Sequence, residues 1–147
     1  AADALEPDDL SADERARLLW VRPGDLHAAL RCADLILDGG GFALVALYLV
    51  GAPPSAVLAR GVPASAWARL AQRAAGANAA LLVVTDGDPR FRPGAFAAVG
   101  LAVERRRARW VGGVPLLDGV EAELMVRRMR GGAAPAEGFR WGAPTTP

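Results

Sequence analysis

An unbroken apolar run at residues 42–50 constrains the fold of this chain more than any other stretch. Three glycines precede the run, and a turn-forming Gly-Ala-Pro-Pro sequence follows it. A strand with one face in water alternates polar and apolar residues, whereas this run does not alternate. It therefore predicts a central strand that is covered on both faces, with helices above and below.

A second apolar run, at residues 79–85, has the same character, and the segment between the two runs carries a helical pattern beginning near Pro63. Two covered strands joined through a helix form a βαβ crossover, which predicts a parallel sheet. Ligands of such sheets bind at the carboxyl ends of the strands. The polar, turn-rich loop at residues 86–94 lies at such an end and is a candidate site.

The length of 147 residues suits one domain with a self-supporting core. No apolar run approaches the roughly 20 residues that a membrane span needs, so we expect an intracellular protein without a membrane partner. The net charge is +1, all 17 basic side chains are Arg, and ten of them lie between Arg90 and Arg140. The lone Cys32 is expected to be a small core residue, and the lone His27 a surface residue.

Local signals place two helices before the central strand. Ser11 and Glu14 have the spacing of a capping box, which predicts a short helix to about Arg17, and residues 18–21 predict a short strand. Asp25 can cap a longer helix that ends at the glycines of residues 39–41. The apolar face of that helix is formed by Leu26, Leu30, Ala33 and Leu37.

The periodicity changes to alternation after residue 100, which predicts strands at residues 101–110, 120–130 and 138–141. We expect these strands to form an antiparallel extension of the parallel sheet. In a regular strand, one face would carry Leu101, Val103, Arg105, Arg107 and Arg109, and the other Ala102, Glu104, Arg106, Ala108 and Trp110.

Motifs that would carry catalysis are missing from the sequence. It has no G-x-x-x-x-G-K-[ST] phosphate loop, no G-x-S-x-G nucleophile elbow and no H-E-x-x-H metal motif. The single His27 lies far from any plausible nucleophile, which argues against a Ser/His/Asp triad. The sequence therefore offers little for catalysis and no recognisable metal or cofactor site.

The order of several short runs resembles the later part of the RecA recombinase core. The runs are residues 3–7, 18–23, 26–40, 42–50, 79–86, 126–130 and 134–139. Within that superfamily, the Leu-Trp-Val-Arg-Pro run at residues 19–23 most resembles ImuA, the RecA-like accessory protein of bacterial translesion synthesis. The resemblance implies a single RecA-like three-layer α/β domain, truncated at its N-terminus, whose central mostly parallel sheet is flanked by helices.

Three positions depart from the pattern of an active RecA-type ATPase. The resemblance places Tyr48 where a magnesium-holding aspartate is expected, and Ala2 where a water-activating glutamate is expected. It places Asp86 at the end of the strand that senses nucleotide, where a carboxylate would repel phosphates. The resemblance therefore implies a protein without ATP hydrolysis, nucleotide cofactor or metal.

The function implied by the resemblance is that of a non-catalytic adaptor in the SOS response to DNA damage, cytoplasmic and associated with the nucleoid through its partners. The partners would be RecA, the polymerase homologue ImuB and an error-prone polymerase, with weak or no DNA binding; self-association stays open. The loops at residues 51–61 and 87–94 correspond to the DNA-contacting loops of RecA. Candidate partner-binding residues are Arg90, Arg92, Arg105, Arg106, Arg107, Arg128 and Arg130.

Two other functions stay open. A SulA-like inhibitor of cell division also resembles a truncated RecA fold and would bind the tubulin-like division protein. The chain could also be the C-terminal fragment of a longer RecA-like ATPase, although Tyr48 argues against this.

Overall fold

A computed structural model describes residues 10–51, 61–111, 116–132 and 139–142 of the protein. By its contacts the chain divides into two compact units, Ala1–Phe96 (the first unit) and Ala97–Pro147 (the second unit). The position of Ala2 and the runs at residues 3–7, 52–60 and 134–138 lie outside the described residues.

The first unit begins with a short helix, α1 (Ala12–Ala16), whose predicted capping box is confirmed. Glu14 accepts a hydrogen bond from the backbone N–H of Ser11 at 2.8 Å, and Ser11 Oγ accepts one from the N–H of Glu14 at 3.3 Å. None of the helix residues is buried, so its own hydrogen bonds hold this turn in place.

The second helix, α2 (Leu26–Gly39), also begins and ends where the sequence predicts. The side chain of Asp25 accepts a hydrogen bond from the N–H of Ala28 at 2.7 Å. Gly40 follows the helix with φ +66°, a left-handed conformation that suits glycine. The four predicted core residues of its apolar face, Leu26, Leu30, Ala33 and Leu37, are all buried, whereas His27 is exposed and Cys32 is half-buried.

The prediction of a short strand at residues 18–21 is wrong. Residues 18–22 have no regular secondary structure, and Leu18, Leu19 and Val21 are exposed. Within the described residues no strand pairs with this segment, and a strand needs a neighbour for its backbone groups. A strand-like composition was therefore not sufficient for this segment to form a strand.

The predicted βαβ unit is confirmed. Strand β1 (Leu44–Tyr48) leads through helix α3 (Ala64–Gly76) to strand β2 (Ala80–Val84), and the two strands pair in parallel. Core side chains of α3, namely Trp67, Leu70 and Ala74, join those of α2 in a single cluster with Val45, Leu47 and Leu49.

The prediction that the central strand is covered on both faces is wrong. Burial alternates along β1, because Val45 and Leu47 point into the core while Leu44 is 56% and Tyr48 45% exposed. Within the described residues β1 pairs only with β2. It is therefore a strand of a two-stranded sheet with one core face, and its outer residues are apolar without being buried.

The second unit is an antiparallel sheet of three strands in the order β3-β4-β5, namely β3 (Val99–Val111), β4 (Leu116–Met129) and β5 (Phe139–Gly142). The three strands and their antiparallel pairing agree with the prediction. The predicted continuity with the parallel sheet does not, because the described strands form two separate sheets. The structure is thus mixed α/β with a parallel pair and an antiparallel sheet.

Irregular pairing between β3 and β4 overturns the predicted distribution of side chains on the two faces. Arg105 lies opposite Ala122, but Arg107 lies opposite Glu121, so that Arg106 is an inserted residue on β3. One inserted residue reverses the alternation beyond it. Consequently Leu101, Val103, Arg105, Ala108 and Trp110 share one face, here called the apolar face, and Arg107 lies on the other.

Candidate functional site

The predicted site at the carboxyl end of β2 is a loop built from its own polar side chains. Thr85 Oγ accepts a hydrogen bond from the N–H of Gly87 at 3.3 Å, and Asp86 Oδ1 accepts one from the N–H of Asp88 at 3.1 Å. Asp88 Oδ1 accepts another from the N–H of Arg90 at 2.9 Å. Each of these side-chain oxygens thus accepts a hydrogen bond from the backbone N–H two residues later in the chain. Short polar residues stabilise consecutive turns in this way.

The two predicted site cations of this loop are bonded within it. Arg90 donates from Nε to both carboxylate oxygens of Asp88, at 3.0 and 2.9 Å, and its Nη2 also contacts that carboxylate. Arg92 Nη2 donates to the carbonyl oxygen of Gly87 at 3.0 Å. The hydrogen bonds from Arg90 lower the pKa of Asp88 below its ordinary value, and those to Asp88 raise the pKa of Arg90.

The loop is anchored to the end of the loop that follows β1. Phe91 is buried in the core, and the carbonyl oxygen of Arg90 accepts a hydrogen bond from the N–H of Val62 at 3.0 Å. A Cβ at Gly61 would lie 2.5 Å from that same oxygen, so only glycine fits there. The described ends of the two loops that the sequence singled out therefore meet at the carboxyl edge of the parallel strands.

The resemblance implies that Tyr48, Asp86 and Ala2 replace residues of an active ATPase. Tyr48 is the last residue of β1, lies opposite Val84 and is exposed on the outer side of the sheet. Asp86 lies two residues beyond Val84, and its carboxylate is occupied by the turn described above. Ala2 lies outside the described residues.

The remaining predicted site residues belong to the second unit and differ in the contacts that their side chains make. Arg106 contacts Glu123 and lies 3.7 Å from Glu104, and Arg127 Nη2 lies 3.0 Å from Glu104. The pKa of Arg106 is raised, chiefly because its side chain donates to Glu123. These charges form a ladder across β3 and β4 on the face opposite the apolar face.

Four predicted Arg residues lie outside this ladder. Arg105 and Arg107 are exposed, and neither takes part in an ion pair within the described part of the chain. Arg128 lies opposite Gly100, and the N–H of Arg130 donates to the carbonyl oxygen of Ala98 at 2.7 Å. Within the second unit, therefore, Arg105 and Arg107 present charge at the bulge of β3.

The sequence interpretation missed an ion-pair cluster between the two long helices. Arg69 Nε lies 3.1 Å and Arg73 Nε 3.7 Å from Asp34 Oδ1, and Arg73 Nη1 bonds to Asp38. Both pairs of like charges are spaced four residues apart on their helices, a spacing that puts them on one face and could have revealed the cluster. The cluster borders an open groove of about 680 Å³. Its arginines are neutralised, so we assign this cluster to helix packing.

The described part of the chain offers few other kinds of site. Within the described residues, no group of three or more His, Cys, Asp or Glu side chains is placed to hold a metal ion. None of the helices in that part of the chain has the length and apolar character needed to cross a bilayer. The chain matches no protein-family model and no curated protein.

Proposed function

We propose that this protein is a non-catalytic RecA-like adaptor of DNA damage-induced translesion synthesis, which binds RecA and an ImuB-like polymerase homologue. The observation that carries the proposal is the carboxyl edge of the parallel pair β1–β2. There Tyr48 ends one strand, and the charged groups after the other strand, Asp88 and Arg90, are bonded to each other.

The chemistry of this edge favours protein contact over phosphoryl transfer. Phosphoryl transfer needs magnesium held by a carboxylate and cations directed at the phosphates. The phenol of Tyr48 is a poor ligand for magnesium. Arg92, moreover, donates to a carbonyl of its own loop. The proposal therefore assigns no ATP turnover to the chain.

An adaptor that shares the RecA fold can act on RecA by occupying the place of a filament subunit. Such a copy would contact one neighbour through its fold but would hydrolyse no nucleotide. It would block filament growth and bring polymerase subunits to the filament end. Inhibition of RecA at substoichiometric amounts follows from this mode of action.

Binding and strand exchange test the proposal together. Immobilised full-length protein should retain purified RecA and ImuB, and added protein should slow RecA strand exchange. Loss of retention of both partners, with unchanged strand exchange, would refute the proposal. Altered sedimentation of the tubulin-like division polymer under those conditions would favour the SulA-like alternative, and ATP turnover would favour the ATPase alternative.

A further inference from the structure

The apolar face of the second unit remains open to solvent along the first half of β3. Val99 is 47%, Leu101 49% and Val103 67% exposed. The three residues stand at every second position of β3, which is the spacing of a buried strand face. Their partners across the ladder, Met129, Val126 and Leu124, continue the apolar surface onto β4. A contiguous patch of this kind marks an interaction surface more often than scattered apolar residues do.

The same stretch of β3 has an unpaired edge. In the described residues the sheet order is β3-β4-β5, so β3 pairs only on the side of β4. From Val99 to Arg105 the strand itself contains no inserted residue, because the first shift of register comes from an extra residue, Arg127, on β4. This regular edge presents free backbone donors and acceptors, which can accept an added strand.

The positive charge at the far end of this edge determines which kind of segment can pair with it as an added strand. The inserted Arg106 of the bulge stands between Arg105 and Arg107, which are exposed and take part in no described ion pair. Antiparallel pairing of two copies over residues 99–105 would place Val99, not an acidic residue, opposite Arg105. Opposite charges across a strand pair are stabilising, so a second copy leaves Arg105 and Arg107 without an acidic partner, whereas an acidic segment supplies one.

We propose that residues 99–105 of β3 bind an extended segment of another protein as an additional strand, with apolar residues at alternate positions and acidic residues at the end that meets Arg105 and Arg107. The inference rests on the proposed adaptor function, because it assigns to this edge one of the protein contacts that an adaptor needs. The bulge limits the added strand to about seven residues, since regular pairing ends there.

Defined peptides test this inference on the full-length protein. The probes are a fluorescein-labelled, amidated EETVTVTV peptide and its reverse VTVTVTEE, which cover the two strand orientations. The matched controls carry KK in place of EE. One acidic probe should bind at least tenfold more tightly than its lysine counterpart in an anisotropy titration.

A charge-reversal variant provides the decisive test. The double substitution Arg105→Glu and Arg107→Glu should reverse the preference, so that the lysine peptide binds more tightly. Arg31→Glu, an exposed charge reversal on α2, serves as the control and should leave the preference unchanged. Val103→Thr keeps a β-branched side chain but replaces one methyl group with a hydroxyl, and it should weaken binding of the acidic probe about threefold. Circular dichroism checks that each variant keeps its strands.

Several results would overturn the inference. They are equal binding of acidic and lysine peptides, no binding of either acidic probe, or a preference that survives the double substitution. Displacement of the acidic probe by a single-stranded oligonucleotide that binds more tightly would assign the surface to nucleic acid instead. A dimer that excludes the probe would assign it to a second copy. If the probes fail while RecA and ImuB are still retained, the proposed function stands and this surface is not its basis.

Discussion

The two units of the protein differ in what they bury. Every described hydrophobic residue that is fully buried, from Leu26 to Phe91, lies in the first unit, where two helices cover one face of a short parallel pair. None of the second-unit residues whose burial the structure describes is buried, and strand β3 exposes Val103 and Trp110. The first unit thus has a buried hydrophobic core, whereas the apolar residues Leu101, Val103 and Trp110 on β3 of the second unit are exposed.

This difference indicates a division of roles. Burial of apolar surface is the main favourable term in folding, so the first unit can supply its own stability. A small sheet without a covering layer is held by its ladder and by cross-strand pairs such as Arg106 with Glu123. Such a sheet would gain most from an added partner, and this is why we propose the second unit as the contact surface.

The largest expected effect concerns the core of the first unit. Leu70 is 2% exposed, and Leu70→Ala should lower the free energy of unfolding by about 2–5 kcal/mol through lost burial and a cavity. Val103→Thr in the exposed strand should change it by less than about 0.5 kcal/mol. Urea unfolding followed by circular dichroism measures both, and similar losses would remove the contrast between the units.

A second contrast separates steric conflict from backbone strain. Gly61 and Gly87 share φ +93°, but a Cβ at Gly61 would meet the carbonyl oxygen of Arg90, and one at Gly87 meets nothing within 4 Å. Both Ala substitutions strain the backbone. Gly61→Ala should cost about 1 kcal/mol more, because it also disturbs the bond from Val62. Equal thermal destabilisation would show that the two loops are not joined there.

Capping provides a smaller effect within the first unit. Asp25→Ala removes the cap of α2, which carries four core residues, and should cost about 1 kcal/mol. Ser11→Ala removes the capping box of α1, which buries nothing, and should leave the main unfolding transition unchanged. Thermal unfolding compares them. A loss at Ser11 as large as that at Asp25 would mean that α1 belongs to the cooperative core.

The smallest effect is electrostatic. Asp88 has a pKa lowered from its ordinary 3.8, chiefly by the hydrogen bonds from Arg90. Its stabilising contribution is therefore present above about pH 4 and is lost as the pH falls through the lowered pKa. Arg90→Gln should raise the pKa of Asp88 toward 3.8, and Arg92→Gln should raise it less, because the contribution of Arg92 is only coulombic. Carbon-13 NMR of the carboxyl group follows both, and no change in Arg90→Gln would contradict the described loop.

The sequence predicted the helices and the crossover of the first unit because their signals are local. Asp25, the apolar spacing from Leu26 to Leu37, and the glycines after it define α2 without reference to any neighbour. The crossover from β1 to β2 follows from two apolar runs with a helix between them. The turn-rich loop after β2 was likewise predicted from its own residues, and its closely spaced Asp side chains stabilise the turns.

Two features could not be read from the sequence for physical reasons. Leu44 is as apolar as the buried Val45 and Leu47 but is exposed, so composition cannot distinguish a covered face from an uncovered one. The inserted Arg106 leaves no compositional mark, yet it reverses the faces of every residue beyond it in β3. Contacts between residues that are far apart in the sequence determine both features.

Hydrogen exchange of the full-length protein, with and without the acidic peptide probe, tests the central contrast most directly. Amides of α2, β1 and α3 should exchange slowest, as part of the core that opens last. Amides of residues 99–105 should exchange at least about tenfold faster and should slow when the probe binds, a factor equivalent to about 1.4 kcal/mol. Protection of β3 equal to that of the core in the absence of the probe would contradict the account.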